Sequence, residues 1–125
     1  MNKRSDGIGR RIVNATRYSM QGFSAAWKHE AAFRQETILC VALTPAAFWL
    51  GRSIGEVTAL LAVMWLVLLT ELLNSAVEAA VDRQGEERHP LSGRAKDMGS
   101  AAVFVSLSLV VLVWMSVAVQ RFTVG

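Results

Sequence analysis

The sequence is poor in the features that usually announce a function. It has one cysteine, Cys40, so no intrachain disulfide can form, and its place inside an apolar run suits an inert thiol. No GxxxxGK[ST] loop and no protein-kinase glycine loop occurs, which excludes the common phosphate cradles. Aromatic and basic residues are not interleaved and no nucleic-acid motif is present, so nucleic acid is not an expected partner. The first thirty residues hold no apolar core segment, which argues against a cleaved signal peptide. No inverted repeat supports a transporter.

What is present is blocked apolar sequence. Hydrophobic residues make up 53% of 125, with a mean hydropathy of +0.35, enough chain for a single unit spanning residues 1–125. Three spans are expected, at about 31–50, 57–80 and 98–119. The first is marginal, because it must include Arg34, Gln35 and Glu36 and is interrupted by Pro45. The last is uncharged and opens on Gly99, Ser100, Ala101 and Ala102, small enough for close helix packing. Residues 8–30 place Ile8, Ile12, Ala15, Ser19, Phe23 and Trp27 on one stripe with basic flanks, the pattern of an amphipathic surface helix. Seven of the thirteen basic residues fall in residues 1–36 and four in the loop 82–97. The positive-inside rule therefore puts the N-terminus and that loop in the cytoplasm, and the short GRSIGE turn and the C-terminus outside.

The chemistry gathers in TELLNSAVEAAVD, residues 70–82. At 3.6 residues per turn, Glu71, Asn74, Ser75, Glu78 and Asp82 share an arc of roughly 100°, opposite Leu72, Leu73, Val77, Ala80 and Val81. Carboxylates at membrane depth are costly and usually functional. A deep one, Glu71, suits a general base; a shallower one, Glu78, suits a hard cation. Lys96 and Asp97, read as the start of a helix, suit phosphate. Plainer readings exist too: a Glu30–Arg34 pair one turn apart, a Lys96–Asp97 surface pair, or a helix clamp at Asn74 and Ser75.

EAAFRQE (30–36), ELLNSAVEAAVDR (71–83) and SGRAKDMGSAAV (92–103) together resemble the bacterial integral-membrane diacylglycerol kinase family, over nearly the whole chain. The resemblance implies an all-α membrane protein with a surface helix and three spans, assembled as a homotrimeric bundle with shared active sites in the inner membrane. It also implies MgATP-dependent phosphorylation of diacylglycerol to phosphatidic acid by direct in-line transfer. By position it makes Glu71 the catalytic base, with Asn74 beside the reaction centre. Glu30 and Glu78 become metal ligands for Mg2+. Arg11, Tyr18, Glu30, Glu78, Glu87, Arg88, His89, Lys96 and Asp97 become nucleotide contacts. Arg34, Glu36, Glu71, Ser100 and Trp114 become lipid contacts. Pro90 departs from the polar residue expected in the nucleotide loop. Two other readings stand beside this one: an undecaprenol kinase, although EAAFRQE favours the diacylglycerol branch, and a non-catalytic membrane assembly or transport protein.

Overall fold

The computed structural model describes residues 7–85 and 87–124, which form four helices and no strand. They are α1 (Ile8–His29), α2 (Ala31–Leu50), α3 (Ile54–Asp82) and α4 (Pro90–Thr123). α3 packs most extensively on α4 and next on α2, while α1 touches mainly α2. α3 and α4 are long and apolar enough to cross a bilayer. With 29 and 34 residues, they run to about 44 and 51 Å against a hydrocarbon core of about 30 Å, so both must project beyond it. α2, diluted by Arg34, Gln35, Glu36 and Pro45, does not join them.

Each junction has a local cause. α1 ends at Glu30, whose extended backbone (φ −119°, ψ 103°) makes it the single-residue elbow before α2. Helix ends leave carbonyls unsatisfied, and here Arg34 Nη1 donates to Trp27 O at 2.7 Å and Lys28 O at 3.3 Å. Arg34 is therefore turned to α1 and not to Glu30. Pro45 is accommodated within α2, and the residue just before it, Thr44, donates its Oγ1 hydroxyl to Cys40 O at 2.7 Å. Gly51 closes α2 where a Cβ would lie 2.6 Å from Val57 Cγ2 and 2.9 Å from Val57 N, too close for any side chain. Ser53 then caps α3 by accepting from Glu56 N at 3.1 Å. Gly85, at φ +110°, turns the chain toward α4.

α4 begins eight residues before the apolar stretch at 98, so residues 90–97 are helical and not loop. Pro90 explains the departure: at the first helical position its missing N–H costs nothing, and its fixed φ favours the start. His89 completes the cap, its Nδ1 accepting from Leu91 N at 3.1 Å. Lys96 and Asp97 consequently lie in the second turn, and the free amides of the helix start belong to residues nearer Pro90.

The packed core lies at the end remote from the polar arc. Ala47, Leu50, Leu60 and Val117 are buried together, with Leu61, Val113, Trp114 and Ala118 packed around them. Trp114 Nε1 donates to Leu60 O at 3.3 Å. On the same end Phe122 stacks on Trp49 (5.9 Å) and Arg121 lies over the Trp49 ring at 5.6 Å, while Arg52 donates to Arg121 O. Cys40 is buried with Sγ 3.7 Å from Met64 O, in keeping with an inert thiol.

Midway along, Thr70 Oγ1 and Ser106 Oγ are 2.9 Å apart, joining α3 to α4, and each hydroxyl also lies within reach of its own helix backbone. Interhelical hydroxyl bonds in membranes average about 0.6 kcal/mol in double-mutant cycles. A cycle of Thr70→Val and Ser106→Ala, read by unfolding in detergent, is expected to return a coupling of about that size. A coupling of zero would show that the two hydroxyls serve only their own helices.

Candidate functional site

The arc of α3 faces protein from Glu71 to Glu78 and is exposed at Asp82. Glu71 is 7% exposed and Asn74, Ser75 and Glu78 are half-buried, whereas Leu69 and Leu73 on the other side are exposed. Glu36, Glu78 and Glu30 all lie close enough for their charges to act on Glu71. Four acids from the α1–α2 elbow, α2 and α3 thus share one neighbourhood. Asn74 sits among them, its Nδ2 donating to Glu78 Oε1 at 3.4 Å.

Two cavities flank the arc. One, of about 550 Å³ between α1 and α3, is lined by Ser19, Phe23, Ala26, Glu30, Leu72 and Ser75 among others. Its walls are mostly apolar, with Glu30 as the one acid. The other, of about 600 Å³, lies at the α3–α4 connection, lined by Asp82, Glu87, Arg88, His89, Ser92 and Lys96 with Val81, Gly85 and Gly93. The apolar cavity therefore meets the stripe at Ser75 and the charged cavity meets it at Asp82, while Glu71, Asn74 and Glu78 line neither.

Several expected residues come together and others do not. Glu87, Arg88, His89 and Lys96 share the charged cavity. Asp97 faces a neighbouring depression with Pro90, Arg94 and Met98. Arg11 and Tyr18 lie on exposed faces of α1 and line neither of the two flanking cavities, Tyr18 carrying the Arg17 guanidinium 5.3 Å above its ring. Glu36 is half-buried near Glu71, and Ser100 is exposed. Arg34 is committed to the α1 carbonyls, and Trp114 belongs to the remote core at the level of Leu60, eleven residues or about 16 Å along α3 from Glu71.

Sequence reasoning left Asp82 without a role. Its Oδ1 lies 2.6 Å from Lys96 Nζ, the ion pair that replaces the expected Lys96–Asp97 pairing. The available signal was its place on the arc of Glu71 and Glu78. Asp82 raises the Lys96 pKa above its ordinary value, through the hydrogen bond first and the carboxylate charge second. Both side chains are substantially exposed, so the pair stabilises little and can open when another anion arrives. Because the carboxylate favours the ammonium form, Asp82→Asn is expected to lower the Lys96 pKa and raise its free-amine fraction. Acylation of Lys96 at mildly alkaline pH, followed by peptide mass spectrometry, should accelerate in the variant; an unchanged rate would mean that the pair does not persist in solution.

For a metal, the donor set is all oxygen. Among the described residues no three His, Cys, Asp or Glu side chains converge on one point. Carboxylate oxygen is the donor type that a hard cation such as Mg2+ takes, one or two at a time, completing its shell with phosphate and water.

Comparison with known proteins finds relatives along most of the chain. The family profile for prokaryotic diacylglycerol kinase matches residues 17–118. A diacylglycerol kinase of Pseudomonas aeruginosa is 56% identical over 108 residues, covering 86% of this chain and 88% of that protein. Diacylglycerol kinases of Haemophilus influenzae (52% over 103 residues; 82% and 87% covered) and Escherichia coli K12 (48% over 104; 83% and 85%) are similar along the same region.

Proposed function

The chain belongs to the prokaryotic diacylglycerol kinase family of ATP-dependent lipid kinases, and from this premise we propose that it transfers the γ-phosphoryl group of ATP to the hydroxyl of diacylglycerol, giving phosphatidic acid. The observation that carries the proposal is Glu71, a buried carboxylate at membrane depth, on one helix face with Glu78 and with Asp82 at the charged cavity. A lipid hydroxyl and a nucleotide live in different phases, and this face runs from one to the other.

In the proposed reaction the Glu71 carboxylate accepts the hydroxyl proton while the lipid oxygen attacks the γ-phosphorus. The bond from that phosphorus to the β,γ-bridging oxygen breaks, and ADP leaves. No phosphoenzyme is needed, since phosphoryl transfer asks mainly for alignment and charge neutralisation. Glu30 and Glu78 would hold Mg2+ together with phosphate oxygens, and the ion would offset phosphate charge when bound. Lys96 supplies a positive group to the phosphates after exchanging Asp82 for them, and Glu87, Arg88 and His89 surround the nucleotide beside it. Asn74 orients Glu78. Asp97, Arg11 and Tyr18 meet the nucleotide from outside the charged cavity, which asks α1 to lie over its mouth. The apolar cavity beside Glu30 suits the glyceride end of the lipid, and Glu36, near Glu71, and the exposed Ser100 are further lipid contacts in this proposal. Arg34 serves that site by fixing the elbow at Glu30, and Trp114 meets lipid only far along its acyl chains.

The same reading places α1 in the interface and α2, α3 and α4 across the inner membrane, with the N-terminus and active site cytoplasmic and the C-terminus periplasmic. A homotrimer with shared sites would cover the many apolar side chains that α4 leaves exposed, Phe104, Val105, Val111, Leu112 and Met115 among them. That the relatives are diacylglycerol kinases favours diacylglycerol over undecaprenol.

Purified protein in mixed micelles with γ-labelled MgATP, offered each lipid alcohol separately, is expected to label diacylglycerol. Glu71→Gln should lower turnover by about 10²–10⁴-fold, the usual contribution of a general base. Label passing only to undecaprenol would replace the substrate, and a fully active Glu71→Gln would remove the base. Asp82→Asn offers a second check: with Lys96 released from its partner, the KM for ATP should fall while the KM for diacylglycerol stays. A rise in the KM for ATP would mean that Asp82 assists the nucleotide.

A further inference from the structure

Gly99, in the third turn of α4, lies against Asn74 of α3. A Cβ built on it would clash with Asn74 Oδ1 and lie 3.2 Å from Asn74 Cγ. By contrast, Gly9, Gly22 and Gly93, also helical, have open space where a side chain would go. Glycine inside a helix costs about 0.5–1 kcal/mol relative to alanine, and at Gly99 a neighbouring carboxamide fills the space thereby left.

That carboxamide is held unusually. Asn74 Oδ1 is buried with no hydrogen-bond partner. Nδ2, at the other end, donates to Glu78 Oε1 at 3.4 Å. A carboxylate only accepts hydrogen bonds, so reversing the amide would set oxygen against oxygen. The side chain therefore has one useful orientation, and what occupies its oxygen side is the bare Cα of Gly99.

We propose that Gly99 is a positioning residue for Glu78: by leaving room for the Asn74 carboxamide, it keeps Nδ2 turned toward the carboxylate and so sets how Glu78 presents its free oxygen to a divalent cation. The chain of contact runs from α4 through Asn74 to an acid on the next turn of α3. A glycine outside the metal shell thereby acts on the metal through two side chains. The inference rests on the reading of Glu78 as a metal ligand.

The test uses the full-length protein in detergent with Mn2+ as the probe, titrated by electron paramagnetic resonance with a non-hydrolysable ATP analogue present. Groups that orient a metal ligand typically change metal affinity by about 10–100-fold. Gly99→Ala is expected to weaken Mn2+ binding by at least about tenfold, and Asn74→Ala by a similar factor. The double variant should bind no more weakly than either single one, because both break the same contact. Mn2+ binding unchanged in Gly99→Ala, or a double variant whose loss is the product of the two, would overturn the proposal. If Gly99→Ala fails to assemble, the double variant relieves the clash: assembly regained without Mn2+ affinity supports the proposal, and both regained overturns it. Glu78→Gln separates the two levels. Wild-type Mn2+ binding in that variant would remove the metal site itself, and this inference with it. Loss there with no loss in Gly99→Ala would remove the inference alone.

Discussion

The structure depends on one requirement: the polar arc of α3 must be covered by protein from Glu71 to Glu78, before it emerges at the exposed Asp82. A bilayer offers no water to carboxylates or amides, so each of these groups needs a neighbour on the inner side. The remaining architecture can be traced to that need. α4 lies close along α3, Thr70 meets Ser106 between the two helices, and Gly99 admits the Asn74 side chain. Glu30 is delivered from the third direction by an elbow that Arg34 holds at the α1 carbonyls.

The molecule divides its labour along the length of its helices. At one end small and branched residues pack tightly, with Leu60 and Ala47 fully enclosed and an aromatic and arginine cluster fastening Arg121 and Phe122 to Trp49. At the other end packing is looser and the contacts are polar, which leaves cavities for ligands. A site that must admit both a lipid and a nucleotide needs this openness, while the remote core sets the helix directions on which its geometry depends. The Asp82–Lys96 pair belongs to the open end: exposed, short and cheap to exchange.

Much of this was legible in the residues. Period and composition were enough to bound α1 and α2 closely and to show the shared face of Glu71, Asn74 and Glu78, because helical spacing is local geometry. The spans were shorter in that reading than α3 and α4 are, since hydropathy measures the apolar part of a helix and not its full hydrogen-bonded length. Pro90 was the misleading residue. In a loop it reads as a stiffener, but at the first position of a helix it is a favourable start, and it carried eight residues into α4.

What the sequence determined by itself was therefore the helices, their polar face, and through its motifs the family. These follow from spacing, hydropathy and identity, which are properties of residues near one another in the chain. Only the tertiary structure decided which side chains meet across helices. It paired Lys96 with Asp82 and not Asp97, committed Arg34 to α1, carried Trp114 into the remote core, and brought Gly99 against Asn74. Such meetings depend on the relative rotation and depth of whole helices, and a rotation of one residue, about 100°, would exchange every partner.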